Sequence, residues 1–124
     1  MATIVHTDKA PAAIGPYSQA VISGSLVYTS GQIAINPQSG EVEATTIEAQ
    51  TEQVMKNLGE VLKAAGSDYT KAIKTTCFLK DMADFAAFNA IYGTYFTGKP
   101  ARSCVAAAAL PKGVLVEVEV IAEL

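Results

Sequence analysis

Two side-chain types common in catalytic and nucleic-acid-binding sites are nearly missing from this sequence, which holds one histidine, His6, and one arginine, Arg102. A single histidine excludes a histidine acid–base pair. With only Cys77 and Cys104 beside it, it also excludes a structural zinc site built from Cys and His. Net charge is -3 and no Lys/Arg cluster occurs, so the basic stripe of a nucleic-acid surface is lacking, as is the attraction needed for an anionic membrane. No uninterrupted apolar run approaches the roughly 18 residues that cross a bilayer, and the first residues lack the hydrophobic core of a secretory signal. The expected compartment is the cytoplasm. There both cysteines stay thiols, although spacing alone leaves a disulfide open. None of the glycine-containing stretches fits a phosphate loop, which disfavours nucleotide chemistry.

Hydrophobic residues, by contrast, make up 50% of the 124, and charged ones only 17%, below the roughly 25% usual for a folded domain. With no repeat, low-complexity tract or linker, residues 1–124 are expected to form a single domain. A domain of this size buries about two-thirds of its unfolded surface, so the surplus of apolar side chains predicts a homo-oligomer.

Three strands are expected first, at 3–6, 16–22 and 25–33, the last two joined through Ser23 and Gly24. NPQSGE (36–41) is a turn. From Thr45 to Ala65 the period becomes helical: Ile47, Val54, Leu58, Val61, Leu62 and Ala65 share a face, Thr45 and Glu48 match a capping box, and Gly66 ends the helix. KAIKTTCFL (71–79) alternates as a strand with Ile73, Thr75, Cys77 and Leu79 on one side. A second helix over 81–96 carries Phe85, Phe88, Ile91, Tyr92 and Tyr95, and Gly98 and Pro100 end it. Strands at 102–109 and 114–122 complete the order βββαβαββ. This is an α+β two-layer domain, with two helices expected on one face of a mixed six-stranded sheet. The other face needs a cover, which again points to neighbouring subunits.

Alternation in the strand after Pro100 puts Arg102 and Cys104 on one face. In GVLVEVEVIAEL, Val114, Val116, Val118 and Val120 line one face and Glu117 and Glu119 the other. A hairpin through LPKG (110–113) would bring the Arg102 face near one of those carboxylates. A lone guanidinium leading into an apolar run suits a carboxylate or phosphate partner, because its planar fork donates two parallel hydrogen bonds; a structural ion pair is the other reading. Glu117 and Glu119 read equally as solvated charges, Cys104 as a small buried hydrophobe, and Tyr17 and Tyr28 as core aromatics. Asn89, between Phe88 and Ala90, either faces solvent or satisfies a buried group.

APAAIGPYSQAV (10–21), YTSGQIAINPQSGE (28–41), KTTCFLKDMADFAAFNAIY (74–92) and PARSCVAAAALPKGVLVEVE (100–119) together resemble the reactive intermediate deaminase A family, also called the YjgF family. The resemblance runs over nearly the whole length. It implies a chorismate-mutase-like fold and a homotrimer with clefts between subunits. It further implies hydrolysis of 2-imino acids, formed from 2-aminoacrylate or 2-aminocrotonate, to 2-oxo acids and ammonia, with no cofactor and no metal. By motif position Arg102 matches the arginine that holds the substrate carboxylate and Glu117 the glutamate that orients the attacking water. Tyr17, Ser30, Gly31, Asn89 and Cys104 match residues lining the cleft, Cys104 through its backbone. A non-catalytic module binding small 2-oxo or amino acids would use the same fork. Ribonuclease-like or chaperone-like activity, also associated with the family, finds no histidine pair or basic surface to support it as a nuclease.

Overall fold

The computed structural model describes residues 2–124. Six strands, β1 (Thr3–Val5), β2 (Ala20–Ser23), β3 (Leu26–Thr29), β4 (Ala72–Leu79), β5 (Ala101–Ala106) and β6 (Val116–Glu123), form one sheet ordered β1-β2-β3-β6-β4-β5. Only β4 and β5 run parallel; the other neighbours are antiparallel. Two helices, α1 (Ile47–Ala65) and α2 (Phe85–Tyr95), pack against one another and cover the sheet on one side. The α+β two-layer architecture and the element order are as expected from the pattern.

In α1 the positions 54, 55, 58, 61 and 62 recur at helical spacing, and Val54, Met55, Leu58, Val61 and Leu62 are wholly buried. They pack on the sheet face formed by Val116, Val118, Val120 and Ala122 of β6 with Thr75, Cys77 and Leu79 of β4. The cap is one residue later than expected: Thr46, in extended conformation, accepts from the Ala49 amide at 3.1 Å, while Thr45 stays outside the helix. Gly66 closes the other end at φ 88°, with its amide on Lys63 O and the Ser67 amide on Leu62 O, a Schellman closure that needs the left-handed region. The second helix is shorter than 81–96. Asp81 caps a 3-10 turn over Met82–Asp84, and the α-helix proper starts at Phe85.

Several strand expectations are corrected. The 16–22 and 25–33 segments shrink to β2 and β3, whose two-residue turn is Gly24-Ser25 rather than Ser23-Gly24. Tyr17 therefore lies in the loop before β2. Ile73 is not on the buried side of β4: the register slips between Ala72 and Lys74, so Ile73 is the bulged residue and turns outward. The largest correction concerns β5 and β6. They form no hairpin, because β4 lies between them. The connection over 107–115 instead passes through a 3-10 turn, Pro111–Gly113, on its way to a central position. The burial pattern explains the choice: β6 alternates fully buried with half-buried residues, whereas most of β5 is exposed, as at an edge.

The sheet face away from the helices carries Tyr28, Thr76, Phe78, Glu117, Glu119, Ile121, Ser103 and Val105 by cross-strand pairing, with Tyr28 and Val105 exposed. No element of the described residues covers it. No helix there is long and apolar enough to cross a membrane.

Candidate functional site

The sequence-selected residues fall into two groups, on opposite sides of the sheet. Arg102 and Cys104 pair with Thr75 and Cys77, whose side chains face the helices. Glu117 pairs with Phe78 on the uncovered face. The expectation that the Arg102 face lies near one of its own chain's carboxylates, Glu117 or Glu119, is therefore wrong, and the cause is the strand order just described.

The Glu117 group surrounds a cleft of about 290 Å³ lined by Tyr17, Ser30, Gly31, Pro111 and Glu117 among others. Its centre is an irregularity in β3. Regular pairing with β6 ends at Tyr28↔Ile121 and resumes as a bridge at Gln32↔Val118, so three residues oppose two. Thr29 compensates by accepting the Val120 amide on its hydroxyl at 3.0 Å. Ser30 is fixed from both ends, its amide on Gln19 O (2.8 Å) and its hydroxyl donating to Ser18 O (2.5 Å). Gly31 then passes directly under the Glu117 carboxylate. A Cβ at Gly31 would overlap Oε2 and sit 2.8 Å from Cδ, so only glycine leaves that carboxylate its place. Burial in the cleft, and secondarily the neighbouring Glu119 charge, raise the Glu117 pKa above the usual carboxylate range. A carboxylate so tuned is a stronger base when ionised.

Two buried amides that sequence reasoning did not single out hold this cleft in shape. Gln19 accepts the Thr7 amide at 2.7 Å and donates to Thr7 O and Pro11 O, pinning the wall at Pro11. Asn57 of α1 donates to both Ile33 O (3.0 Å) and Ile35 O (2.9 Å), which line the opposite wall.

On the other side, Arg102 lines an open pocket of about 420 Å³ between α2 and β5 with Asn89, Tyr92 and Lys99, and Cys104 lies outside that lining. Arg102 Nη1 donates to Asn89 Oδ1 at 2.6 Å, which settles the alternatives for Asn89: its amide satisfies a half-buried group. The guanidinium lies over Tyr92, 4.8 Å from the ring centroid, and 5.4 Å from that of Phe85. It has no carboxylate partner among the described residues, where the one ion pair is His6–Asp8 at the surface. The structural ion-pair reading of Arg102 is thus overturned within the chain. Phe85 and Tyr92 were read only as an apolar stripe, yet the signal was present: 85, 89 and 92 share one helical stripe, and the polar residue in its middle marks where the helix meets a charge. Both cysteines are free, and burial raises both pKa values, that of Cys77 to about 12. Cys104 is raised despite the neighbouring Arg102, so its thiol is a poor nucleophile at neutral pH.

A six-stranded mixed sheet carrying two helices on one face, with an arginine pocket at the edge strand and a carboxylate cleft on the open face, defines an L-PSP-type α+β domain. The chain belongs to the family described as Endoribonuclease L-PSP, whose model matches residues 7–124, and the resemblance to the reactive intermediate deaminase A family holds. A putative regulator AldR from Lactococcus lactis is 58% identical over 97% of this chain and 96% of its own length. The 2-iminobutanoate/2-iminopropanoate deaminase of Rattus norvegicus is 51% identical over 96% of this chain and 88% of its own. The crystal structure of a putative endoribonuclease L-PSP from Entamoeba histolytica superimposes with a TM-score of 0.97 at 54% identity, covering all of both chains.

Proposed function

We propose that this protein hydrolyses 2-imino acids, and the enamines in equilibrium with them, to 2-oxo acids and ammonia. The observation that carries the reading is Glu117, a half-buried carboxylate with a raised pKa, seated on Gly31 in a cleft that Ser30 and Tyr17 also line. The half-identical deaminase of the rat supports it. Arg102, with donors to spare, suits the carboxylate that every such substrate carries.

The two groups face away from each other in one chain, so we infer that the working site forms between subunits of a homotrimer. One subunit offers Arg102, Asn89 and the Cys104 backbone, and its neighbour offers Tyr17, Ser30, Gly31 and Glu117. The uncovered sheet face, with Tyr28 and Val105 exposed, supports such an assembly. A reaction on free imino acids suits the cytoplasm.

In the reaction, Arg102 holds the substrate carboxylate, and the carbon of the N-protonated imine is the electrophile. Water attacks it while Glu117 accepts the proton, giving a carbinolamine. Glu117 returns that proton to nitrogen, the C–N bond breaks, and the hydroxyl proton is lost as the 2-oxo acid and ammonia form. General-base assistance adds roughly a hundredfold to ten-thousandfold, adequate for substrates that already hydrolyse unaided. The step needs no metal or cofactor.

The test is a threonine or serine dehydratase assay coupled to this protein, with semicarbazide trapping the remaining imine. Arg102→Lys should lose most of the acceleration, since a point charge does not reproduce the planar fork. Unchanged activity removes Arg102 from the mechanism. A second reading is a non-catalytic binder of small 2-oxo or amino acids, which would use the same Arg102 fork. Calorimetric binding of 2-oxobutanoate without faster imine loss would establish that one instead. Nuclease action has no support in the site, because the sole histidine, His6, is exposed and bonded to Asp8.

A further inference from the structure

The edge-strand arginine needs something to aim it. An arginine side chain on a strand with one free side has many rotamers, and carboxylate recognition requires its fork to hold one plane. Asn89 fixes a single corner, Nη1. The other contact is the Tyr92 ring, which lies beneath the guanidinium.

That ring is unusually well held. Phe96, almost fully buried, stacks on it at 4.7 Å between centroids and 28° between planes. Its hydroxyl shares a 2.7 Å hydrogen bond with Thr75, which is wholly buried in β4 directly opposite Arg102 in the register. Phe88 packs against the same ring at 5.5 Å. The ring therefore contacts Phe96, Phe88 and Arg102 at once and is anchored in the strand next to the one that carries the arginine. A tyrosine that only filled the core would still bond its buried hydroxyl, but it would not need a guanidinium on its face.

We propose that Tyr92, anchored by Thr75 and packed on Phe96, is a positioning residue that sets the plane of the Arg102 guanidinium, so that the donors not used by Asn89 face the carboxylate of a bound acid. This deepens the reading of Arg102 as the carboxylate fork and rests on it.

Calorimetry on the full chain tests it with two probes, 2-oxobutanoate and its neutral amide 2-oxobutanamide. The wild-type protein should prefer the acid. Tyr92→Leu should reduce that preference about tenfold, the size of a partly desolvated cation–π contact, and raise KM for the imine more than it lowers kcat. Tyr92→Phe, which keeps the ring but loses its bond to Thr75, should lower the preference by a smaller factor than Tyr92→Leu. Thr75→Val, which removes the anchor and not the ring, should lower it by a smaller factor, and serves if Tyr92→Leu does not fold. Equal weakening of acid and amide binding in Tyr92→Leu, or an unchanged preference in Thr75→Val, would overturn the proposal by leaving Tyr92 a packing residue. Arg102→Lys separates the two levels: if it keeps the acid preference, the fork and the platform fall together. Loss there with full retention in Tyr92→Leu overturns the platform alone.

Discussion

Glycine at position 31 is a functional choice made by a neighbouring side chain. Its Cβ space is occupied by the Glu117 carboxylate, so Gly31→Ala must displace that carboxylate from its seat. The backbone there is not in the left-handed region, and alanine brings no conformational strain of its own. We expect about a hundredfold loss in kcat, the lower end of what a positioned base contributes, with thermal unfolding little changed; an alanine variant of full activity would mean that Glu117 is not the base. Glu119 provides a finer test. Its charge is the lesser of two causes raising the Glu117 pKa, after burial. As the proposed base, Glu117 would work only when ionised, so a raised pKa moves the acid limb of the pH–rate profile upward. Glu119→Gln removes one raising cause, and the acid limb of kcat/KM should move to lower pH, giving more activity in mild acid. An unmoved limb would assign that limb to another group. Residue identities of this kind were legible from motif resemblance. The physical reasons were not, because Gly31 and Glu117 are 86 positions apart in sequence and meet only through the β3–β6 bridge.

At the scale of elements, periodicity located both helices and all six strands, since the apolar positions of α1 and β6 are dictated by one shared core. It failed where a local rule had two equivalent matches. Thr45 and Thr46 both precede the helical run, and only the three-dimensional path shows the Thr46 hydroxyl on the Ala49 amide. Thr46→Ala should therefore cost about 1 kcal/mol and Thr45→Ala close to nothing, measured by urea unfolding at fixed protein concentration. Equal effects would return the cap to Thr45. Strand order was the other failure. Alternation says which side of a strand is buried, not which strand lies beside it, and so β5 and β6 read as a hairpin. The information that separates them is the degree of burial on the second face. β6 is flanked on both sides by strands and keeps Glu117 and Glu119 half-buried, whereas Ser103 and Val105 of β5 are exposed. A sequence pattern of small residues, ARSCVAAAA, resembles either.

At the scale of the molecule, the separation of the two groups turns a failed expectation into a requirement on assembly. If catalysis needs both Arg102 and Glu117, and a sheet lies between them in each chain, then each active cleft draws on two subunits. The apolar surplus and the exposed Tyr28 and Val105 are what such contacts would bury. Complementation decides it. Arg102→Lys and Glu117→Gln homo-oligomers should each be nearly inactive, because every cleft lacks one partner. Unfolded together and refolded as a mixture, they should recover roughly a quarter of wild-type activity, since random assembly joins an intact Arg102 to an intact Glu117 at about one interface in four. A site contained in one chain predicts no recovery at any mixing ratio, because no single polypeptide in the mixture carries both side chains. Charge placed on the uncovered face supplies an independent arm. Val105→Glu should shift sedimentation toward the monomer and abolish imine hydrolysis, although Val105 belongs to neither group of site residues. A fully active monomer would show instead that one chain can close the cleft by itself, which the positions of Arg102 and Glu117 on opposite faces of the sheet do not allow without a rearrangement of β4 and β6.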